Sequence, residues 1–180
     1  LNFVSDYDYK STVDWSDVIL NIGMDEYEIP EDKFIIYQGS HGDRGANRAD
    51  VILPGCAFSE ESGIFVNTEG RPQLSLKACE KIGNARENWA IIRALSEKLN
   101  CKLEYNNLNE LRKKLFSVYP LFSFLDEIKS NSWVKSSKFT KNCLKVDLKN
   151  IWSDHYLTNP IARSSNIMAG LSKKKKSVIK

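Results

Sequence analysis

The sequence predicts an α/β body built on a mostly parallel sheet, and three observations carry that expectation. Val18 to Ile22, Phe34 to Tyr37 and Asp50 to Leu53 are short, apolar, β-branched runs of strand length. No two-residue turn signal separates them, so they read as parallel or mixed neighbours and not as hairpin partners. Glu87 to Leu99 and Asn107 to Phe116 then carry apolar residues at helical spacing, suited to covering that sheet.

Residues 1–16 are polar and aromatic without a period, and read as an extended arm whose Tyr7, Tyr9 and Trp15 pack on something larger. Val18 to Ile22 is interrupted only by Asn21 and closed by Gly23, the pattern of a strand buried on both faces. Asp25 to Asp32, with its acids and Pro30, suits an exposed connection to Phe34–Tyr37, a second buried strand. Asp50 to Leu53 is stopped by Pro54 and Gly55, because proline lacks the donor a ladder would need next. Gly63 to Asn67 and Arg71 to Lys77 flank Thr68-Glu69-Gly70, two extended segments around a glycine turn. In the first helix the stripe is Trp89, Ile92, Leu95 and Leu99; in the second it is Leu108, Leu111 and Leu115, with Pro120 as a stop. Asn159 followed by Pro160 matches an N-cap and first-turn proline, opening one short helix through Ala169. The resulting organisation is an arm at 1–16, the α/β segment at 17–116, an irregular Lys/Ser/Asn-rich segment at 117–150, and a C-terminal helix with a basic tail at 151–180.

A chain of 180 residues with 42% hydrophobic content can fill a core, while no apolar run approaches the ~20 residues a membrane-spanning helix needs. Direct membrane insertion is therefore not expected. The net charge of +3 hides an asymmetry: residues 1–50 hold 4 basic and 11 acidic side chains, and residues 51–180 hold 22 and 12. The lysine run Lys173 to Lys176 lacks the aromatic and glycine interleaving of a nucleic-acid surface and reads as a solvated tail, so no nucleic-acid partner is expected. The opening residues, with Asp6, Asp8 and Asp14, do not resemble a signal or transit segment. Leu1 in place of Met suggests an unusual start, a processed end, or a beginning that lies outside these residues.

The densest group of special residues is Gly39-Ser40-His41-Gly42-Asp43-Arg44-Gly45, directly after the second strand, where α/β sheets bind ligands. Its spacing is neither a P-loop nor a dinucleotide fingerprint, and the plainer reading is a tight loop whose glycines permit positive φ. His41 lacks an evident nucleophile neighbour and His155 lies far along the chain, so a loop hydrogen-bonding role is expected for His41. Glu60 and Glu61 are adjacent and therefore point apart. Cys56, Cys79, Cys101 and Cys143 are separated by 23, 22 and 42 residues, which is not metal-ligand or cluster spacing, and they read as reduced thiols.

At Ala49-Asp50-Val51-Ile52-Leu53-Pro54-Gly55, then Glu60, then Phe65-Val66-Asn67-Thr68-Glu69-Gly70-Arg71-Pro72-Gln73, the chain resembles the ADVILPG…E…YVNTEGR-x-Q signature of molybdopterin-oxidoreductase-like domains. The resemblance is strongest to one branch, the large iron–sulfur (75 kDa) subunit of respiratory complex I, called the G subunit in bacteria and subunit eleven when mitochondrially encoded. Phe34 to Gly39 with His41-Gly42-Asp43, Ala85 to Trp89 with Ile91 to Ser96, and Tyr156 through Ser164-Ser165 to Met168-Ala169 agree as well, in the family's order. Only the last part of that subunit is covered.

The resemblance implies a non-catalytic, scaffold-type segment of the matrix-side peripheral arm at the mitochondrial inner membrane. It implies no catalytic, cofactor-binding or metal residue in this chain. Gly39, His41, Gly42, Asp50, Pro54, Glu60, Asn67, Glu69, Gly70 and Arg71 match the motifs as structural residues, with Glu69 and Arg71 placed to anchor loop backbone and Gly70 to allow positive φ. Iron–sulfur clusters and FMN are then expected in partner chains. Those partners include an N-terminal iron–sulfur portion of the same subunit, split onto another polypeptide as in some protist mitochondrial genomes, and further peripheral-arm subunits. The alternative is part of a pterin-dependent oxidoreductase such as a formate dehydrogenase or nitrate reductase, with Arg44, Asn67 and Arg71 touching cofactor.

Overall fold

A computed structural model describes residues 13–24, 29–127 and 154–178. Tyr7, Tyr9, Cys143 and most of the 117–150 segment lie outside the described residues. Residues 13–15 are helical, and β1 (Val18–Ile22) follows at once. β2 (Phe34–Gly39), a short helix α1 (Arg44–Arg48) and β3 (Val51–Pro54) complete a three-stranded sheet of order β1-β2-β3. Both pairings are parallel, with Val18 opposite Phe34 and Ile36 opposite Val51. β3 runs through Pro54, one residue beyond the expected stop, because Pro54 is the terminal ladder residue and its missing donor is never required there.

β4 (Gly63–Val66) and β5 (Pro72–Ser75) form the separate hairpin that the glycine turn predicts. α2 (Asn88–Lys98) and α3 (Leu108–Val118) match the two apolar stripes. The Asn107 carboxamide caps α3 by accepting from the Glu110 amide. A 3₁₀ turn at Pro120–Ser123 follows, so the start of the segment expected to be irregular is ordered around the buried Phe122. At the C-terminal end, Asn159 caps α4 (Pro160–Ser164) through the Ala162 amide. Ser165 then adopts an extended ψ of 118° and the chain restarts as α5 (Asn166–Val178). The pattern predicts one helix through Ala169, and two short ones are found. The lysine run lies within α5 and not in a tail beyond it.

The centre of the core is β2. Ile35, Tyr37 and Gln38 are fully buried, and side chains like the first two contribute roughly 1.5–3 kcal/mol each. The expectation that all three strands are buried on both faces does not hold within this chain. Val18, Ile22 and Ile52 are 59%, 51% and 54% exposed, because the sheet has three strands and few elements to cover them. No described helix is long and apolar enough to cross a membrane.

Candidate functional site

The loop after β2 is organised by its own strand. The Tyr37 hydroxyl donates to the His41 carbonyl at 2.7 Å, and the Tyr37 ring folds so closely over Gly39 that a Cβ there would meet the hydroxyl at 2.7 Å. Gly42 similarly faces Ala46. Neither glycine has positive φ, so close approach and not a left-handed backbone is what requires them. His41 Nδ1 lies 3.0 Å from Ser40 Oγ, the hydroxyl next to it in sequence. No described carboxylate orients the other ring nitrogen, so the pair lacks the arrangement of an acyl-transfer site.

At this end of the sheet lies a cleft of about 360 Å³ lined by Gly23, Tyr37, Gly39, Ser40, His41 and Phe58, and closed by Asn159, Pro160 and Ile161 of the C-terminal segment. The segment is held by Arg163, whose Nε donates to the Asp43 carboxylate and whose Nη1 reaches the Leu157 carbonyl at 3.3 Å. Asp154 secures α5 in turn, accepting from the Ser172 hydroxyl and the Tyr156 amide. Among the described residues, the cleft's lining contains no lysine or arginine. Arg44, Asn67 and Arg71 do not line it either. Among the described residues, no three His, Cys, Asp or Glu side chains converge as metal ligands.

The motif residues are distributed over three structural tasks. Asp50 pins the start of β3: its carboxylate accepts from the Ile35 amide at 2.7 Å while its own amide donates to the Ile35 carbonyl. Pro54 and Gly55 end β3, where Gly55 bridges to Arg86. Glu60 closes a local turn by accepting from the Ala57 amide at 3.0 Å. In the β4–β5 turn, Gly70 has φ +81°, and the Asn67 carboxamide oxygen accepts from both the Glu69 and Arg71 amides. Asn67 is therefore the loop's anchor, in place of the expected Glu69 and Arg71. The Glu69 side chain is exposed and the Arg71 Nε is buried without a hydrogen-bond partner.

A partly buried polar network joins the two halves of the α/β segment, and no spacing within the sequence pairs its residues. Gln38 Nε2 donates to the Asn88 side-chain oxygen at 3.0 Å, and Asn88 Nδ2 donates to Glu61 Oε1 and the Cys56 carbonyl. The Glu61 carboxylate also accepts from the Asn88 amide at the start of α2. Gly55 leaves the space that Asn88 needs, since a Cβ there would collide with the carboxamide oxygen. The one available signal is a polar Gln38 closing an apolar run, whose partner lies 50 residues away. Beside this network the Cys56 thiol is pushed above its usual pKa, first by burial and then by Glu61 and Glu60.

Similarity to known proteins agrees with this geometry. The chain belongs to the molybdopterin oxidoreductase family, whose model matches residues 8–98. Residues 122–171 match a second model, that of the C-terminal part of the NADH-ubiquinone oxidoreductase G subunit. Among individual proteins, the chain is similar to the NADH-ubiquinone oxidoreductase 75 kDa subunit of Reclinomonas americana, 45% identical over 155 residues and 84% of this chain. It is similar also to the mitochondrial 78 kDa subunit of Neurospora crassa (41% identical, 86% of this chain) and to the G subunit of the NADH-quinone oxidoreductase of Rickettsia bellii (42%, 82%). The chain spans 22% of the length of each of these three relatives.

Proposed function

We propose that this chain is a structural, non-catalytic portion of the large iron–sulfur subunit of proton-pumping NADH:ubiquinone oxidoreductase, in the matrix-side peripheral arm at the mitochondrial inner membrane. The relatives' names support the assembly, and the mitochondrial ones among them support the location. The observation that carries the structural role is the use to which the motif residues are put. Asp50, Glu60 and Asn67 all accept hydrogen bonds from backbone amides, and these bonds fix turns and a strand start. Iron–sulfur clusters and FMN reside in the partner chains, including an iron–sulfur portion of the same subunit that precedes this one.

Elemental and flavin analysis of the assembly captured through this chain tests the proposal. Iron, acid-labile sulfide and FMN without molybdenum or tungsten, together with NADH oxidation, are expected. Stoichiometric molybdenum or tungsten, or capture without any NADH-oxidising partner, would contradict it.

A further inference from the structure

Lys173 to Lys176 belong to α5, and the same helix shows apolar side chains to solvent. Ile167 is 77% exposed, Met168 38% and Leu171 39%. Ser172, 3% exposed and bonded through its hydroxyl to the Asp154 carboxylate, marks the face turned toward the body. At about 100° per residue, Ile167 and Leu171 share a stripe that lies roughly 100–140° round the helix from Ser172. The stripe therefore faces outward. Beside it the charge is of one sign: residues 155–180 hold five lysines, one arginine and no aspartate or glutamate. Arg163 is paired with Asp43, while Lys173 and Lys174 are exposed at the surface of α5. The lysines also lie beyond the residues that the C-terminal family model covers, which end at 171.

We infer that α5 docks into a groove of a neighbouring chain, with an apolar floor for Ile167 and Leu171 and an acidic rim for the lysine run. The inference rests on the proposed function, which supplies the neighbouring chains, and adds to it the docking element and the chemistry of its receptor. A helix laid in a groove is read through anchors one turn apart, and Ile167 and Leu171 stand at i and i+4. Carboxylates on the rim complement the lysines and fix the direction in which the helix lies. The helix is also held in place before it docks, by Ser172 on Asp154 and by Arg163 on Asp43, so little ordering remains to be done on binding.

Other anionic surfaces fit less well. Met168 and Leu171 are already about two-thirds covered, so a flat bilayer reaches chiefly Ile167, a far smaller apolar group than a single myristoyl chain, which alone gives only marginal membrane binding. The side chains of a partner protein can interdigitate with half-covered residues. A phosphate backbone would pair with the lysines and leave the apolar stripe in water, and α5 has no aromatic residue on which bases could stack.

The test uses the full chain assembled with its partners and two cross-linking chemistries. One is a photoreactive leucine analogue at position 171. The other is carbodiimide coupling, which joins lysine amines directly to carboxylates in contact with them. Both are expected to capture the same neighbouring chain, the first through apolar residues and the second through an aspartate or glutamate joined to Lys173 or Lys174. Ile167→Glu, at a side chain that supports little of the fold, is expected to lower recovery of that chain about tenfold. Changing all four residues Lys173 to Lys176 to Gln should make the captured chain dissociate at lower salt, and Ile82→Glu, at a 79% exposed site elsewhere, should leave recovery unchanged. Photo-cross-links only to lipid, to nucleic acid, to a second copy of the chain or to its own residues would overturn the inference. So would carbodiimide coupling confined to this chain, or undiminished recovery with Ile167→Glu. If the unsubstituted chain assembles normally while these results fail, the docking role of α5 is wrong and the proposed function stands. If it assembles with nothing, both fall.

Discussion

Arg163 donates to the Asp43 carboxylate across 120 positions of sequence and so fastens the C-terminal segment over the carboxyl ends of the parallel strands. Both side chains are only partly buried, at 23% and 31% relative exposure, so the pair is worth about 1 kcal/mol after solvent screening. Its effect is positional. Arg163→Ala is expected to raise hydrogen exchange in residues 154–172 several-fold while leaving β1 to β3 unchanged. The charge-swapped double variant Asp43→Arg with Arg163→Asp should recover part of the protection, and uniform exchange across the chain would refute this assignment.

The Asn88 carboxamide bonds Gln38, Cys56 and Glu61 from separate segments, so its loss removes three hydrogen bonds from a largely buried region. Asn88→Ala is expected to lower stability by about 1–3 kcal/mol, read as thermal unfolding of the assembled protein. Gly55→Ala should cost a comparable amount by pushing the Asn88 carboxamide out of place. Because both changes break one network, the double variant should lose clearly less than the sum. Strict additivity would show that Gly55 acts independently of Asn88.

The β4–β5 turn separates a structural motif from a redox one. Gly70→Ala, which forces a side chain onto a φ of +81°, and Asn67→Ala, which removes two accepted bonds, should each destabilise by about 1 kcal/mol or more. NADH oxidation per assembled complex should stay at the unsubstituted value for both. A large loss in turnover without a loss in assembly would assign these residues a part in the chemistry.

Cys56 is buried among carboxylates whereas Cys79 and Cys101 are exposed. Thiol labelling near pH 8 should therefore modify Cys79 and Cys101 first, with Cys56 following slowly, because its thiolate is disfavoured. The raised pKa also carries a sign. The protonated thiol's contribution to stability is complete below its ordinary value of 9.0 and declines as pH rises through the higher folded value. Cys56→Ala should flatten that alkaline decline, and an unchanged profile would trace the decline to another group, such as Tyr105, whose pKa burial also raises.

The elements are legible in the sequence because each is a local signal. Apolar β-branched runs mark β1 to β3, the glycine turn marks the β4–β5 hairpin, and Asn107 and Asn159 mark helix starts that their carboxamides do cap. What escapes is non-local or depends on competition. The break at Ser165 lies inside an otherwise helical pattern, and there the Ser165 hydroxyl accepts from the Met168 amide to start a new helix. Gln38–Asn88 and Asp43–Arg163 join residues 50 and 120 positions apart, which no spacing rule in one sequence can pair. Burial departs from expectation for a different reason. The two-faced apolar strands describe a larger folded body, and this chain supplies only part of the cover.

Native mass spectrometry of the chain captured from mitochondrial membranes tests the central claim most directly. The account predicts that it leaves the membrane inside a multisubunit particle that oxidises NADH and contains the iron–sulfur part of its own subunit. A monodisperse, folded 20.6 kDa species with no associated chain would contradict it.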